Sequence, residues 1–347
     1  MNNVYGVIMK NSIVVTGGGT GGHLSVANSL IYEFHSRGYE VIFVGSTKGA
    51  DKSWFEKESK LTKAYFLDTK GVVNQGKLGK IKSLFMILKA MIKVLNIYKV
   101  HNVSKVISVG GFSAAPASFA SIFSKVDFYI HEQNSVMGKL NQITSKFAKE
   151  VFSSYDKTSP IKDYPINQEF FKYQRVRKEI KTIIFLGGSQ GAVAINNFAL
   201  KIAPLLKAKN INIIHQAGKN DYIRVKEQYE ELQIDVEVFD FTTNILDYMN
   251  KADFAISRSG ASTLWELSAL GLPTLYVPYP YAAANHQYYN AKFLLDDNMC
   301  LLKTQKELNE NIIEDILNLD ISSISNKLIN SIKKDGVKLI VDEIVKN

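Results

Sequence analysis

Cysteine is almost missing from this chain: there is one, Cys300, in 347 residues. A disulfide framework is thereby excluded, as is any metal site built on the cysteines of a single chain. Long apolar runs are missing as well. No window approaches the roughly 18 uninterrupted apolar residues of a membrane span, so a soluble or peripheral protein is expected. The first apolar stretch, Ser12 to Thr16, runs straight into a glycine loop and does not read as a secretory leader. Met9 is a second candidate start, because the residues before it precede the first convincing strand. There is no aspartate-rich metal motif, no short-period repeat and no low-complexity tract, and no tightly bound metal is expected.

What is present suffices for two ordinary domains with sizeable cores: 46% of residues are hydrophobic, which argues against disorder. The net charge of +9 is unevenly spread. Residues 1–164 hold 21 Lys and Arg against 11 Asp and Glu, whereas the remainder holds 21 against 22. A polyanionic partner is therefore expected at the first half.

Short β-branched runs alternate with longer helical patterns. Strands are predicted at 12–16, 40–45, 105–109 and 127–131, with a helix over 24–37. After a polar stretch the pattern restarts, with strands at 182–186, 212–215, 236–240, 254–257 and 274–277 and a helix over 192–206. Such alternation implies parallel sheets with right-handed crossovers. Each half opens with a strand and a glycine-rich turn into a helix, GGGTGGH at Gly17 to His23 and GGSQGA at Gly187 to Ala192. Two doubly wound α/β domains facing across a cleft are predicted, divided between 163 and 164.

Gly17, Gly19 and Gly22 have the spacing G-x-G-x-x-G. Glycine lets backbone approach a ligand, and the helix that follows points N–H groups at an anion. A dinucleotide site also wants a carboxylate at the end of the second strand, but that strand ends Phe43-Val44-Gly45-Ser46. His23, at the helix start, has two readings. It is a general base for an acceptor hydroxyl, or it simply bonds phosphate or backbone.

Further polar clusters follow other strands on the carboxyl edge, where α/β proteins bind ligands. They are Gly110-Gly111-Phe112-Ser113, His131-Glu132-Gln133-Asn134, and Ser257 to Glu266. Glu266 reads either as a ribose-binding carboxylate or as a charge complementing a helix start. Gln287 reads a sugar hydroxyl or closes a loop.

Taken together, GGTGGH (Gly18 to His23), GGFSAAP (Gly110 to Pro116), HEQN (His131 to Asn134), GGSQGA (Gly187 to Ala192), SRSGAST (Ser257 to Thr263) with Glu266, and NHQ (Asn285 to Gln287) closely resemble one family. It is that of the UDP-N-acetylglucosamine:undecaprenyl-diphospho-muramyl-pentapeptide N-acetylglucosaminyltransferases of peptidoglycan synthesis. The resemblance spans nearly the whole chain. It implies a GT-B fold, with acceptor bound mainly by the first domain, UDP-sugar mainly by the second, and the last helix packing back on the first. By position it implies donor contacts at Thr20, Gly21, Gly22, Asn134 and Ser189. Further donor contacts fall at Ala261, Ser262, Thr263, Leu264, Trp265, Glu266 and Gln287. Glu266 is expected on the ribose, and backbone at Thr242 on the uracil. Gly18, Gly19, Gly110, Gly111, Phe112 and Ser113 are placed to hold the acceptor diphosphate. Two departures stand out: Asn167 replaces an arginine that contacts donor in the family, with Arg258 a possible compensating cation, and Val26 replaces a proline.

The implied partners are the lipid-linked muramyl-pentapeptide, an anionic membrane surface and other cell-wall enzymes, at the cytoplasmic face of the plasma membrane. UDP-N-acetylglucosamine is the implied donor, with no tightly bound cofactor. Residues 77–99 fit that setting, since lysines punctuate an apolar helical stretch from Leu84 to Leu95. The ordinary reading is a domain helix with its lysines toward water. The expected chemistry is direct displacement with inversion, with His23 as base and Glu132 in reserve. Three alternatives remain: another GT-B enzyme such as a UDP-sugar epimerase, a non-catalytic nucleotide-sugar or lipid binder, and a nucleic-acid binder, for which no motif is present.

Overall fold

A computed structural model describes residues 12–72, 76–188, 190–242 and 244–346. Ser189 lies outside these residues, as do both candidate start methionines. The described chain divides into two compact units. The first comprises residues up to Gln133, Met137–Pro165 and the C-terminal segment from Asp335; the second comprises Asn134–Val136 and Ile166–Lys334.

The first unit is a six-stranded parallel sheet of β1 (Ser12–Thr16), β2 (Glu40–Ser46), β3 (Lys63–Leu67), β4 (Val103–Ser108), β5 (Asp127–Glu132) and β6 (Glu150–Ser153). Its strand order is β3-β2-β1-β4-β5-β6. Val14, Ile42, Val44, Val106 and Ile130 point into a core shared with Ala90, Val94 and Ala117 of flanking helices. The helix Gly21–Ser36 buries Leu24, Ala27, Leu30, Ile31 and Phe34, the three- and four-residue spacing of one helical face.

The second unit repeats the plan with β7 (Thr182–Leu186), β8 (Asn212–Gln216), β9 (Glu237–Phe239), β10 (Phe254–Ser257), β11 (Thr274–Tyr276) and β12 (Leu301–Leu302). Its order is β12-β11-β10-β7-β8-β9, the same winding as the first sheet. Ile183, Phe185, Ile213, Phe254 and Ile256 pack against Ile195, Ala199 and Ile202 of the helix Val193–Ala208.

In each sheet the winding reverses between the first and fourth strands, β1/β4 and β7/β10. The connections leave in opposite directions there and open a crevice at the strands' carboxyl ends. The three strands that the sequence pattern does not announce, β3, β6 and β12, all lie at sheet edges. β6 and β12 are short, four and two residues, and β3 is only partly buried at Ala64, Tyr65 and Phe66.

The division falls at Pro165/Ile166, two residues past the boundary expected from sequence. Tyr164 belongs to the first unit, its ring set edge-on to His131 at 5.5 Å. The helix Gly336–Lys346 also lies in the first unit, where Arg37 bonds Asp342 at 2.5 Å and the Lys338 carbonyl at 3.1 Å.

The helix Lys77–Val100 buries Ser83, Ile87, Ala90, Val94, Ile97 and Tyr98. Leu78, Ile81, Phe85, Leu88 and Ile92, at the heptad-like spacing of another face, are all more than half exposed. Among the described residues no helix is long and apolar enough to cross a membrane.

Candidate active site

At the switch point of the first unit the loops after β1 and β4 interlock. The Gly18 N–H donates to the Gly110 carbonyl at 3.2 Å. Gly111 has φ +79°, and a β-carbon there would lie 2.1 Å from the Gly18 carbonyl oxygen, so no side chain fits. The ring of Phe112 covers Gly19.

Beneath the loop lies Asp51, fully buried, which the sequence reading missed. One carboxylate oxygen accepts from the Gly19 N–H at 2.6 Å and the other from the Ser46 N–H at 2.9 Å. Burial raises its pKa against the opposing effect of these donors. The Gly110 N–H is likewise taken, by Ser108 Oγ at 3.2 Å. Gly18, Gly19 and Gly110 were expected to hold a diphosphate, yet all three turn their amide protons inward. These three amides are engaged within the loops, while the helix Gly21–Ser36 beside them opens without a side-chain cap.

Thr20 stands at the N-cap of the helix Gly21–Ser36 but makes no side-chain cap bond. Its Oγ1 lies 2.8 Å from His23 Nδ1 instead. The helix therefore begins without a side-chain cap at Gly21 and Gly22, an arrangement suited to an anion. Nε2 of His23 sits beside the Gly110 backbone, 3.4 Å from where a β-carbon would stand.

His131 and Glu132 are the last two residues of β5, so the strand reaches one residue further than expected. Both are buried. Glu132 accepts from the Gly138 N–H at 3.0 Å and from Asn141 Nδ2 at 2.8 Å. Burial, followed by the nearby His23, pushes the His131 pKa down to about 3. His131 Nδ1, Gln133 Oε1 and Asn141 Oδ1 are buried with no hydrogen-bond partner among the described residues. Native interiors rarely leave such atoms unpaired away from functional sites. Asn141 has no motif around it and escaped the sequence reading.

In the second unit the helix Ala261–Ala269 starts at the switch point, just after β10. Its N-cap is Gly260, and the Leu264 N–H already bonds the Gly260 carbonyl at 3.0 Å. The amides of Ala261, Ser262 and Thr263 form the opening turn that can meet an anion. Leu264 is fully buried, and Trp265 stacks on Phe293 at 5.2 Å. The side chains of these two residues, both named as expected donor contacts, are buried. Glu266, one turn into the helix, accepts from Ser262 Oγ at 2.9 Å.

Gln287 Oε1 accepts from the Tyr279 N–H at 2.9 Å, and Thr242 Oγ1 from the Asn244 N–H at 3.0 Å. Asn290 is fully buried and holds the segment at 134–136. Its Nδ2 donates to Asn134 Oδ1 at 3.1 Å, and its Oδ1 accepts from the Ser135 N–H at 2.8 Å. One helical turn beyond Gln287, it was within reach of the periodicity argument.

Asn167 is exposed and caps the helix Gln168–Lys172, its Oδ1 accepting from the Glu169 N–H at 3.0 Å. Arg258 donates to the carbonyls of Val277 and Pro278 at 2.9 and 3.1 Å and lies 5.6 Å from the centre of the Tyr279 ring. Burial brings its pKa down to about 10. Both carbonyl bonds come from its Nη1.

The comparisons with known proteins follow this two-part layout. Residues 13–153 match the glycosyltransferase family 28 N-terminal domain, and residues 182–344 match the glycosyltransferase family 28 C-terminal domain. A relative from Campylobacter fetus is 50% identical over 96% of this chain and 99% of its own length. It is named as a UDP-N-acetylglucosamine–N-acetylmuramyl-(pentapeptide) pyrophosphoryl-undecaprenol N-acetylglucosamine transferase. One from Sulfurovum, bearing the same name, is 49% identical over 97% of this chain and 98% of its own. Among solved structures, Acinetobacter baumannii MurG superposes with a TM-score of 0.76 at 24% identity, over 97% of this chain and all of that one. A UDP-GlcNAc 2-epimerase from Neisseria meningitidis bound to UDP-GlcNAc gives 0.64 at 12%, over 97% of this chain and 100% of that one, a likeness of fold alone.

Proposed function

Because the chain belongs to glycosyltransferase family 28, we propose that it transfers N-acetylglucosamine from UDP-N-acetylglucosamine to an undecaprenyl-diphospho-muramyl-pentapeptide in peptidoglycan synthesis. The observation that carries this reading is the 50% identity with a transferase of that name across 96% of the chain. The two switch-point crevices, each with an uncapped helix start, supply the two anion sites that a nucleotide donor and a diphosphate-linked acceptor require.

In this reading the muramyl 4-hydroxyl gives its proton to His23 Nε2 as its oxygen bonds to the sugar's anomeric carbon. The bond from that carbon to the UDP oxygen breaks on the opposite face, so the new β-1,4 linkage has inverted configuration. For Nε2 to accept, Nδ1 must carry its hydrogen and donate to Thr20 Oγ1, which fixes the ring. Glu132, bonded by Asn141 and Gly138, is the reserve base. UDP leaves toward the opening turn at Ala261 to Thr263, whose amides oppose the developing charge. Ser262 holds Glu266 for the ribose, Gln287 reaches the sugar, and Asn290 presents Asn134. Ser189, outside the described residues, is a further proposed donor contact. No tightly bound metal belongs to this mechanism, so turnover should survive exhaustive chelation.

The first unit meets the membrane through the helix Lys77–Val100. Its exposed Leu78, Ile81, Phe85, Leu88 and Ile92 are flanked by Lys77, Lys80, Lys82, Lys89 and Lys93. Apolar side chains enter the interface, and each lysine near an anionic surface adds about 1 kcal/mol. That places the protein peripherally, beside its lipid-linked acceptor.

The decisive experiment is transfer of labelled N-acetylglucosamine onto a short-chain muramyl-peptide lipid diphosphate. Product that requires both substrates is expected. UDP-sugar binding without transfer would remove the acceptor assignment while leaving the donor site standing.

A further inference from the structure

We infer that Tyr229, His215 and Asn196 form a buried positioning relay that fixes the backbone around Gly191, where the second glycine loop enters its helix, to receive the donor's diphosphate. The inference rests on the donor assignment above and deepens it.

The three side chains come from different elements. Tyr229 lies on the helix Tyr222–Glu231, His215 on β8 and Asn196 on the helix Val193–Ala208. His215 and Asn196 are fully buried and Tyr229 nearly so. The direction of every bond in the relay follows from one end. Asn196 Nδ2 donates to the Ala217 carbonyl at 3.0 Å and to Asp221 Oδ2 at 2.7 Å. Asn196 Oδ1 must then accept, so His215 Nε2, 3.0 Å away, carries the hydrogen. His215 Nδ1 is left as acceptor for the Tyr229 hydroxyl at 2.8 Å. Burial holds the His215 pKa near 3, so the relay keeps this polarity throughout the neutral range. Asp221 is in turn gripped by Arg224 at 2.7 and 2.6 Å.

What the relay holds is backbone at the carboxyl edge. A β-carbon on Gly191 would fall 2.6 Å from the Ala217 carbonyl that Asn196 bonds, and one on Gly218 would fall 2.1 Å from the Gly191 nitrogen. No side chain separates these two loops, so a shift of Ala217 is a shift of Gly191. The Ala217 N–H also bonds the Phe239 carbonyl at 2.9 Å, tying in the strand that leads to Thr242. One buried carbonyl thus couples the phosphate-facing loop to the segment expected at the uracil. A network satisfied at every member is stiff, and stiffness in a binding loop lowers the cost of ordering it around ligand.

The test measures UDP affinity by calorimetry together with KM for donor and acceptor in the full-length protein. Tyr229→Phe removes only the hydroxyl and should weaken UDP binding and raise donor KM about 5-fold, with acceptor KM unchanged. Asn196→Asp cannot donate to the Ala217 carbonyl and should cost about 10-fold or more. Tyr98→Phe is the control, since it deletes another buried hydroxyl, bonded to the Ala117 carbonyl at 2.9 Å in the first unit. It should lower the melting temperature without touching UDP affinity. If Tyr229→Phe and Asn196→Asp melt early but bind UDP like the wild type, the relay is merely structural and the inference falls. Wild-type protein that fails to bind UDP would remove the donor assignment itself, and the inference with it.

Discussion

The two units share one winding and differ in how each treats a buried histidine. His131 ends β5 beside the first switch point, and His215 lies in β8 beside the second. Both are buried and both have a pKa pushed down to about 3. Every nitrogen of His215 has a partner, and the ring serves as a strut. His131 Nδ1 has none among the described residues, and its neighbours Gln133 and Asn141 also carry unpartnered oxygens. A fully bonded network holds shape, whereas an unsatisfied one costs stability and persists where function requires it. The contrast lies in these two rings: His215 is bonded at both nitrogens, and His131 is not bonded at Nδ1 among the described residues.

The largest expected effect tests the proposed division of roles between the two units. His23→Ala should lower kcat about 100- to 10,000-fold, the range for losing a general base, while UDP affinity stays at the wild-type value. Glu266→Ala should do the reverse, raising donor KM about 10-fold with a smaller change in kcat. Loss of UDP binding in His23→Ala would move that histidine into the donor site and dissolve the contrast.

A second prediction asks whether only the first unit meets lipid. Phe85→Asp with Leu88→Asp should weaken binding to anionic vesicles about 10-fold or more, because both side chains are exposed and lie in the apolar stripe. Transfer to a soluble short-chain acceptor should stay near wild type. Unchanged vesicle binding in the double variant would return the helix to an ordinary surface role.

Much of this architecture can be read from the residues alone, for a physical reason. Strands such as Ser12–Thr16, Thr182–Leu186 and Phe254–Ser257 are buried on both faces and so appear as unbroken apolar runs. The glycine turns and the clusters after strands sit at the switch points because that edge is where such sheets bind. What escaped was of another kind. Asp51 and Asn141 act through backbone and side chains distant in sequence, Asp51 on Gly19 and Asn141 on Glu132 nine residues away. Glycine patterns also cannot say which way an amide points, so Gly18, Gly19 and Gly110 looked like phosphate donors when their protons turn inward. Asn167 and Arg258 show the same limit, since neither the cap bond of one nor the two carbonyl bonds of the other is announced by a motif.

Acid stability sharpens the comparison next. Each histidine has its pKa lowered from 6.5 to about 3 in the fold, so below pH 6.5 the unfolded chain takes up a proton that the folded chain refuses. The stabilisation is complete above pH 6.5 and is lost as pH falls toward 3, at up to about 1.4 kcal/mol per pH unit for each ring. His131→Phe and His215→Phe should each flatten the acid limb of a denaturation series. At pH 8 the two should part company: His215→Phe strands Tyr229 and Asn196 and loses stability, whereas His131→Phe abandons no partner at Nδ1. Equal losses at pH 8 would erase the distinction between strut and unsatisfied site.

The smallest effect probes how the first unit holds the proposed base. Thr20 Oγ1 lies 2.8 Å from His23 Nδ1, and the proposed mechanism has Nδ1 donate there so that Nε2 can accept. Thr20→Val keeps the volume and β-branching but removes the oxygen, so the ring can turn and the wrong nitrogen can carry the proton. A hydrogen bond of this kind is worth about 1 kcal/mol, which corresponds to a roughly 5-fold fall in kcat. Thr20→Ser restores the hydroxyl and should recover most of the rate. The bond also bears on pH, because a base lacking its Nδ1 partner is a weaker base, and the acidic limb of the kcat profile should move to lower pH in Thr20→Val. A lowered rate with an unmoved profile would mean that Thr20 shapes the helix start instead of the base.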